Sequence, residues 1–457
     1  MIIIKFGGTS VMDADRVRRA IEIVAARREQ RPVVVVSALA GVTNQLVEAT
    51  RLAAAGSFDE AQELVEAIRE RHEDIGRQLI GQKADFLESF YSQLRKHTSQ
   101  IIDILKAISL VGDVSLRAKD KIVAIGEKLS SVLFSYTMRT QTLVGVHVDS
   151  EHVIVTDERF GEATPDMDLT RAAARKVLLP ELEREHIPVM GGFFGRSRSG
   201  GTTTLGRGGS DFSAAIVGAA IEADEIQIWT DVDGMMTCDP RLIPGARVID
   251  LISYVEAAEL AYFGAKVLHP KTIAPAVEKR IPIRVLNSHN PDAKGTLITR
   301  EGTTDSGPRA LALKRGITVV HVTSSQMLGA HGFLARIFTV FSGHEISVDL
   351  VTTSEVSVSV TVDREDGLDR AIEDLAAFAT VELERGRAIL ALVGSDVIRD
   401  RTVGARTIEA LEGIPISMLS IGSSGLNFSI VVPEEAAERA LREIHRRVFE
   451  ETGSEAA

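Results

Sequence analysis

The 457-residue sequence contains one cysteine, Cys238. A single thiol excludes an intrachain disulfide and any multi-cysteine metal site, and it fits a reducing compartment. Its plain role is a small filler near a turn. Long apolar runs are also missing. None approaches the ~18 residues needed to span a bilayer, and Met1 to Ile4 is too short for the apolar core of a signal peptide. The expectation is a cytoplasmic chain with no membrane partner. Cationic excess is lacking too: 52 Lys and Arg stand against 64 Asp and Glu, a net charge of −12, which argues against nucleic acid as the main partner. Two phosphate-binding signatures are absent. No Gly-x-x-x-x-Gly-Lys-[Ser/Thr] loop occurs, and the third glycine after Gly206 and Gly208 would fall on Asp211, which disfavours a dinucleotide dehydrogenase.

What remains is an ordinary globular composition, 44% hydrophobic and 25% charged, long enough for two or three domains of about 100 to 200 residues. Ile2 to Phe6 reads as a buried strand broken at Gly7-Gly8, and Asp13 precedes a helix with Val17, Ala20, Ile21, Val24 and Ala25 on one face. A second buried strand, Val33 to Val36, leads through a turn, Ser37 to Gly41, to a helix from about Thr43. This alternation argues a parallel sheet covered by helices. From Phe58 to about Thr142 the pattern is helical, a lobe inserted in the sheet domain. Alternation resumes with Val144 to Val148, a helix over Asp168 to Glu185, and strands at Ile187 to Met190, Glu225 to Thr230 and Ile281 to Leu286.

Eight glycines fall between Gly191 and Gly209, ending in Gly206-Arg207-Gly208-Gly209-Ser210-Asp211 before a helical run, Phe212 to Ile221. Such a loop is either a flexible surface segment or an anion site. Backbone N–H groups without side chains in the way can close on an anion, and Ser210 or Asp211 can cap the helix. Lys5, at the carboxyl end of the first strand, and the Gly7 and Gly8 amides fall on the same sheet edge, where ligands of open parallel sheets collect. Phosphoryl transfer needs cations to neutralise oxygens, amides to hold them, and a carboxylate to orient lysine or metal. Trp229-Thr230-Asp231-Val232-Asp233-Gly234 and Asp239 hold three acids that orient Mg²⁺, bind ribose or shape turns, the last favoured for Asp233. His269 has no His or Cys partner at ligand spacing and reads as structural, and no metal ligand set is expected.

Beyond a linker at Gly302 to Pro308 lies an internal repeat. Ala335-Arg336 recurs as Ala405-Arg406, Ile346-Ser347 as Ile416-Ser417, and Ser354 as Ser424, each offset by 70. Each copy reads strand, helix, strand, strand, helix; in the first these are Val319 to Val322, Phe333 to Ser342, Ser347 to Val351, Val356 to Val362 and Leu368 to Phe378. Paired modules at the end of an enzyme regulate it or hold a dimer together. Only the first copy has two acids, Asp349 and Glu355, where the second has Leu419 and Gly425. Two carboxylates suit a ligand with two ammonium groups, which points to lysine bound between symmetry-related chains.

Lys5-Phe6-Gly7-Gly8-Thr9-Ser10, Gly206 to Asp211, Trp229-Thr230-Asp231 and Gly264 to Pro270 together resemble aspartate kinase, of the amino-acid kinase fold, and the terminal repeat resembles its paired ACT modules. The resemblance covers nearly the whole chain and is of the monofunctional form. It implies an α/β, three-layer αβα kinase domain with a mainly parallel sheet over 1–300, with the helical lobe at about 58–142. Two α+β ferredoxin-like ACT modules follow: 301–315 as linker and first strand of the second module, 316–388 as the first, effector-binding module, and 389–457 as the rest of the second.

By the same resemblance, Lys5 stabilises the transferred phosphoryl group and Asp211 orients it. Arg207 clamps a carboxylate of aspartate, Glu127 takes its ammonium, and Thr43, Gly208, Gly209 and Ser210 complete the pocket. Nucleotide contacts come from Lys5, Gly7, Gly8, Thr230, Asp231, Arg241, Lys266, Val267 and Met236, the last standing where tyrosine is common in the family. The implied reaction is attack by the aspartate β-carboxylate on the γ-phosphate of Mg²⁺-bound ATP. Lysine-inhibited members resemble this chain in Met327, Gly332, Phe333, Leu334, Val348, Asp349, Ser354 and Glu355; Ala330 departs from their serine. A homodimer or dimer of dimers through the ACT modules is implied. Other amino-acid kinases acting on glutamate or acetylglutamate share the fold without the Lys5 to Ser10 pattern or the paired modules. A catalytically dead sensor is the remaining alternative, and it would lack one of Lys5, Glu127, Arg207 and Asp211.

Overall fold

The computed structural model describes residues 1–451 except 142, 265–267, 269, 304–305, 329–330, 398–400 and 423–424. Lys266, Val267, His269, Ala330 and Ser424 therefore lie outside the described residues. The chain forms two compact units, Met1–Met235 with Leu268–Gly302, and Met236–Val267 with Thr303–Ala457.

The first unit is built on a sheet whose strands run in the order Gly145–His147, Ile187–Gly191, Pro32–Val36, Ile2–Phe6, Glu225–Thr230, Ile283–Asn287 and Thr296–Thr299. All neighbours pair in parallel except the last two. The central strands are apolar on both faces, and Val33 to Val36 are fully buried; each such side chain contributes about 1.5–3 kcal/mol of burial. Alternation along the first strand assigns the layers. Ile2, Ile4 and Phe6 join the core of the helices Ala14–Ala25, Val42–Ala54 and Ile125–Thr140. Ile3 instead faces the helix Gly209–Ile221, where a Cβ on Gly218 would sit 3.4 Å from it. Lys5 shares the Ile3 face, which directs it toward the start of that helix.

The helical lobe consists of Phe58–Ile80, Ala84–Val111 and Leu116–Val123, with Val65, Ile68, Phe90, Leu94, Ile101 and Leu105 continuing the same core. None of the described helices is long and apolar enough to cross a membrane.

The second unit carries one antiparallel sheet, ordered Val351–Thr353, Ser357–Val362, Gly307–Thr323, Thr380–Ser395, Asn427–Pro433 and Met418–Ile421. The repeat is thus fused at its centre. Gly307–Thr323 serves both copies and changes register between Lys314 and Ile317. Each copy keeps its own core, one around Val320, Ile337, Val360 and Leu368, the other around Leu390, Ile430 and Leu441. The strand expected from Ser347 begins only at Val351, because the Asp349 and Leu350 N–H groups donate to the backbone and hydroxyl oxygens of Thr361 instead of joining a regular ladder. Cys238 and Ile243 pack in the second of these cores. Residues 236–267 therefore group with this unit, whereas the resemblance implies a kinase domain running to 300.

Candidate active site

Four chain turns meet at the carboxyl edge of the parallel sheet. The Gly7 N–H donates to the Trp229 carbonyl at 3.1 Å, the Ser37 N–H to the Phe6 carbonyl at 3.0 Å, and the Gly192 N–H to the Val36 carbonyl at 2.9 Å. A Cβ on Gly192 would lie 2.7 Å from the Ser210 Cα, so only glycine lets the end of the strand Ile187–Gly191 pass the Gly206–Asp211 loop. Arg71, from the helical lobe, ties two of the turns together: Nη1 donates to the Ala40 carbonyl and Nη2 to the Met12 carbonyl, both at 2.8 Å. These turns enclose a cavity of about 400 Å³ lined by Lys5, Gly8, Ser37 to Gly41, Thr43, Asn44, Glu127, Phe193 and Gly206 to Asp211. Lys5, Thr43, Glu127, Arg207, Gly208, Gly209, Ser210 and Asp211 thus converge on one hollow. A larger hollow, about 1160 Å³, lies at the opposite edge beside Met1, Arg27, Glu225 and Arg284. There Arg284 and Glu225 pair with each other at 3.1 Å.

The Gly-rich loop enters its helix earlier than its sequence indicates. The helix starts at Gly209, capped by Gly208 in the left-handed region (φ 71) with no side-chain cap. Ser210 and Asp211 therefore sit in the first turn, and their side chains are free to face the cavity. The positive end of the helix points there too. Lys5 Nζ lies 2.6 Å from Asp211 Oδ1, both side chains largely buried. This is an ion pair whose angle falls outside hydrogen-bond geometry, since the same Oδ1 has no aligned donor. Gly7 differs from expectation: its N–H is used inside the fold, which leaves Gly8, at the start of the next 3-10 turn, to present an amide.

Glu127 is buried at 4% exposure in the first turn of Ile125–Thr140. Burial pushes its carboxyl up to about 8, and the backbone N–H groups of Ala38 and of Glu127 itself offset this only in part. Its Oε2 has no hydrogen-bond partner. Arg207 lines the same cavity and is exposed, with its guanidinium in no ion pair among the described residues. The hollow thus offers a carboxyl group with an unmatched oxygen and a planar cation free of ion pairs, matching an ammonium and a carboxylate on one small ligand.

Thr230 and Asp231 end the strand Glu225–Thr230, with Thr230 Oγ1 donating to Asp231 Oδ1 at 3.1 Å. Asp233 accepts from Asn287 Nδ2 at 2.8 Å, the turn-shaping role expected of it. Met236 and Arg241 belong to the second unit, where Arg241 pairs with Asp239 at 2.7 Å. Burial raises the Cys238 thiol to about 12, which keeps it inert. Arg71 and Phe193 escaped sequence reasoning, because a helical arginine and a loop phenylalanine look like a solvated charge and a core side chain.

The expected effector residues lie in the second unit. Met327 closes a 3-10 turn, Gly332 (φ 81) caps the helix Phe333–Gly343, and Leu334 is exposed. Ser354 Oγ lies 2.7 Å from Ser357 Oγ, and Glu355 is exposed. Val348 is half-buried beside Asp349. Asp349 does not wait open: its carboxylate is 2% exposed, with Lys314 Nζ at 2.8 Å and the Tyr262 hydroxyl donating at 2.6 Å.

Comparison with known proteins matches the amino acid kinase family model over residues 1–287 and an ACT domain model over 320–377 and 390–448. The lysine-sensitive aspartokinase 3 of Escherichia coli is 38% identical, covering 98% of this chain and 99% of the relative. The chloroplastic aspartokinase 2 of Arabidopsis thaliana is 36% identical over 98% of this chain and 84% of its own length. The crystal structure of E. coli aspartokinase III with aspartate and ADP superposes with a TM-score of 0.85 over 98% of this chain and all of that one; its complex with lysine and aspartate gives 0.81. The chain belongs to the aspartokinase family, ATP-dependent kinases of aspartate that join an amino acid kinase domain to ACT domains.

Proposed function

We propose that the 400 Å³ cavity is where aspartate is phosphorylated on its β-carboxylate, with Arg207 and Glu127 holding its two ends. The observation that carries this assignment is the buried Glu127 Oε2 without a partner. A buried carboxylate oxygen left unmatched costs about 1–3 kcal/mol, a cost removed when a substrate ammonium docks. Arg207 forms the fork-to-fork contact with a carboxylate, while Thr43, Ser210 and the Gly208 and Gly209 backbone close the pocket.

The β-carboxylate, already ionised at neutral pH, needs no general base. Its oxygen forms a bond to the γ-phosphorus as the bond to the β,γ-bridging oxygen breaks, giving 4-phosphoaspartate and ADP. Lys5 neutralises the transferred oxygens and Asp211 fixes Lys5 in place, so catalysis is positioning plus charge. Gly8, Thr230 and Asp231 serve the nucleotide. A Mg²⁺ would be held mainly through the nucleotide phosphates, with Asp211 as the nearby carboxylate. Bound there, the ion would neutralise phosphate charge.

Lysine is the proposed inhibitor, bound in the first ACT module between two chains of a homodimer, with Asp349 and Glu355 for its ammonium groups. A lone buried thiol suits the reducing cytoplasm. The test is hydroxamate trapping of the acyl phosphate with ATP: aspartate should give product and glutamate little. Product from glutamate alone overturns the substrate assignment, and activity indifferent to millimolar lysine overturns the effector.

A further inference from the structure

Asp120 is a buried carboxylate, 2% exposed, on the helix Leu116–Val123. No described cation pairs with it, yet both of its oxygens are satisfied. Oδ2 accepts from the Gly161 N–H at 2.8 Å and the Thr204 N–H at 2.9 Å, and Oδ1 accepts from the Thr204 hydroxyl at 2.8 Å. These partners lie 41 and 84 residues away in sequence. Buried polar groups need hydrogen bonds in place of water, and these three contacts supply them.

Its partners are the neck of the Arg207 loop. Thr204 precedes Gly206 by two residues. Its carbonyl accepts from the Ala163 N–H at 2.8 Å, and the Leu205 N–H donates to the Phe193 carbonyl at 2.8 Å. Gly206, with φ 76, is packed against the same strand of chain: a Cβ there would sit 3.1 Å from Glu162 Cγ. The helix that carries Asp120 runs into the helix of Glu127 with only Ala124 between them, and the Ala124 N–H donates to the Asp120 carbonyl at 3.1 Å. Asp120 and Glu127 are seven residues apart, two helical turns, on one face. One rigid segment therefore grips the neck of the Arg207 loop with one carboxylate and presents the other to the ligand.

We infer that Asp120 is a positioning and specificity-determining residue that sets the span between Glu127 and Arg207, and so selects the length of the dicarboxylic amino acid. The inference rests on the aspartate pocket proposed above. Glutamate, longer by one methylene, requires a wider span, and a pocket rejects one methylene by about 10–200-fold.

Asn at this position keeps the geometry. Its carbonyl oxygen replaces Oδ2 for both N–H donors, and its amide donates to the Thr204 hydroxyl, whose own proton turns to the Gly161 carbonyl, 3.3 Å away. Ala removes all three contacts. The experiment measures kcat and KM for aspartate, glutamate and ATP in the full-length wild type, Asp120→Asn and Asp120→Ala. The expected result for Asp120→Ala is a fall in kcat/KM for aspartate of about tenfold or more, a smaller fall for glutamate, and a KM for ATP within about twofold of wild type. Asp120→Asn should restore both the rate and the discrimination. Equal losses for both amino acids, or a matching rise in the KM for ATP, assign Asp120 to general stability and overturn the inference. If Asp120→Ala does not fold, Thr204→Val decides: it removes only the hydroxyl contact and should lower the aspartate-to-glutamate ratio in the same direction, and an unchanged ratio overturns the inference. A wild type that makes no aspartyl hydroxamate instead overturns the pocket assignment on which it rests.

Discussion

Lys314 Nζ lies 2.8 Å from Asp349 Oδ2 and 3.0 Å from Asp363 Oδ2, and it stands 5.0 Å over the ring of Tyr262, whose hydroxyl donates to the other oxygen of Asp349. An ammonium of the chain itself thus holds the carboxylate that a lysine effector is proposed to use. A ligand that must displace an internal competitor shows an affinity reduced by the fraction of sites open to it. Lys314→Met should therefore lower the lysine concentration giving half inhibition, severalfold, with Tyr262→Phe acting in the same direction but less. Dose–response curves at fixed substrate check this. Loss of lysine sensitivity in Lys314→Met would mean that Lys314 supports the effector pocket and does not compete with it.

Lys5→Ala removes the cation at 2.6 Å from Asp211 and leaves that carboxylate unneutralised where phosphoryl oxygens must approach. The expected loss in kcat is on the order of 10²–10³, while calorimetric binding of lysine persists because the effector residues belong to the other unit. A variant with near-normal kcat sinks the role given to Lys5.

Arg207→Lys keeps the charge but loses the planar fork. The KM for aspartate should rise by about tenfold or more with a smaller change in kcat, since a fork-to-fork contact with a carboxylate is made before and during the reaction. An unchanged KM places the aspartate carboxylate elsewhere.

The sheet was legible because its central strands are apolar on both faces, as in Pro32–Val36, and the repeat was legible because one offset relates its two copies. The glycines of the Gly-rich loop left a surface segment and an anion site both open; the structure gives one of them a physical reason in close backbone approach, Gly192 against Ser210. Glu127 had no local signature. In sequence it reads as a solvated helix charge, and only the family resemblance gave it a role; its burial arises because the helix Ile125–Thr140 is covered on nearly all sides. Asp120 and Arg71 were silent for a related reason. Their partners are brought near only by tertiary folding, 84 residues away for Thr204 and 59 for Met12, and no spacing within either helix encodes them. The occupation of Asp349 by Lys314 was equally hidden, because the repeat comparison located the acid but not the chain's own cation 35 residues earlier.

Glu127 ties substrate affinity to pH and to stability with opposite demands. Burial raises its carboxyl from 4.5 to about 8, so in the free protein it is protonated at pH 7, whereas the substrate ammonium requires it ionised. Docking of aspartate below pH 8 must expel a proton, and the KM for aspartate should fall as pH rises from 6 to 8.5, by at most about tenfold per unit, before levelling. The fold has the reverse preference. Between 4.5 and about 8 the folded state holds a proton that the unfolded state has lost, so the stability tied to neutral Glu127 is full below pH 4.5 and is lost as pH rises through about 8. That loss is on the order of 3 kcal/mol at pH 7. Glu127→Gln, neutral throughout, should match the wild type in Tm near pH 4.5 and exceed it increasingly toward pH 8.5, while its KM for aspartate is high and flat with pH. Parallel Tm curves for the two proteins, or a wild-type KM that does not fall with pH, would remove Glu127 as the ammonium-binding group.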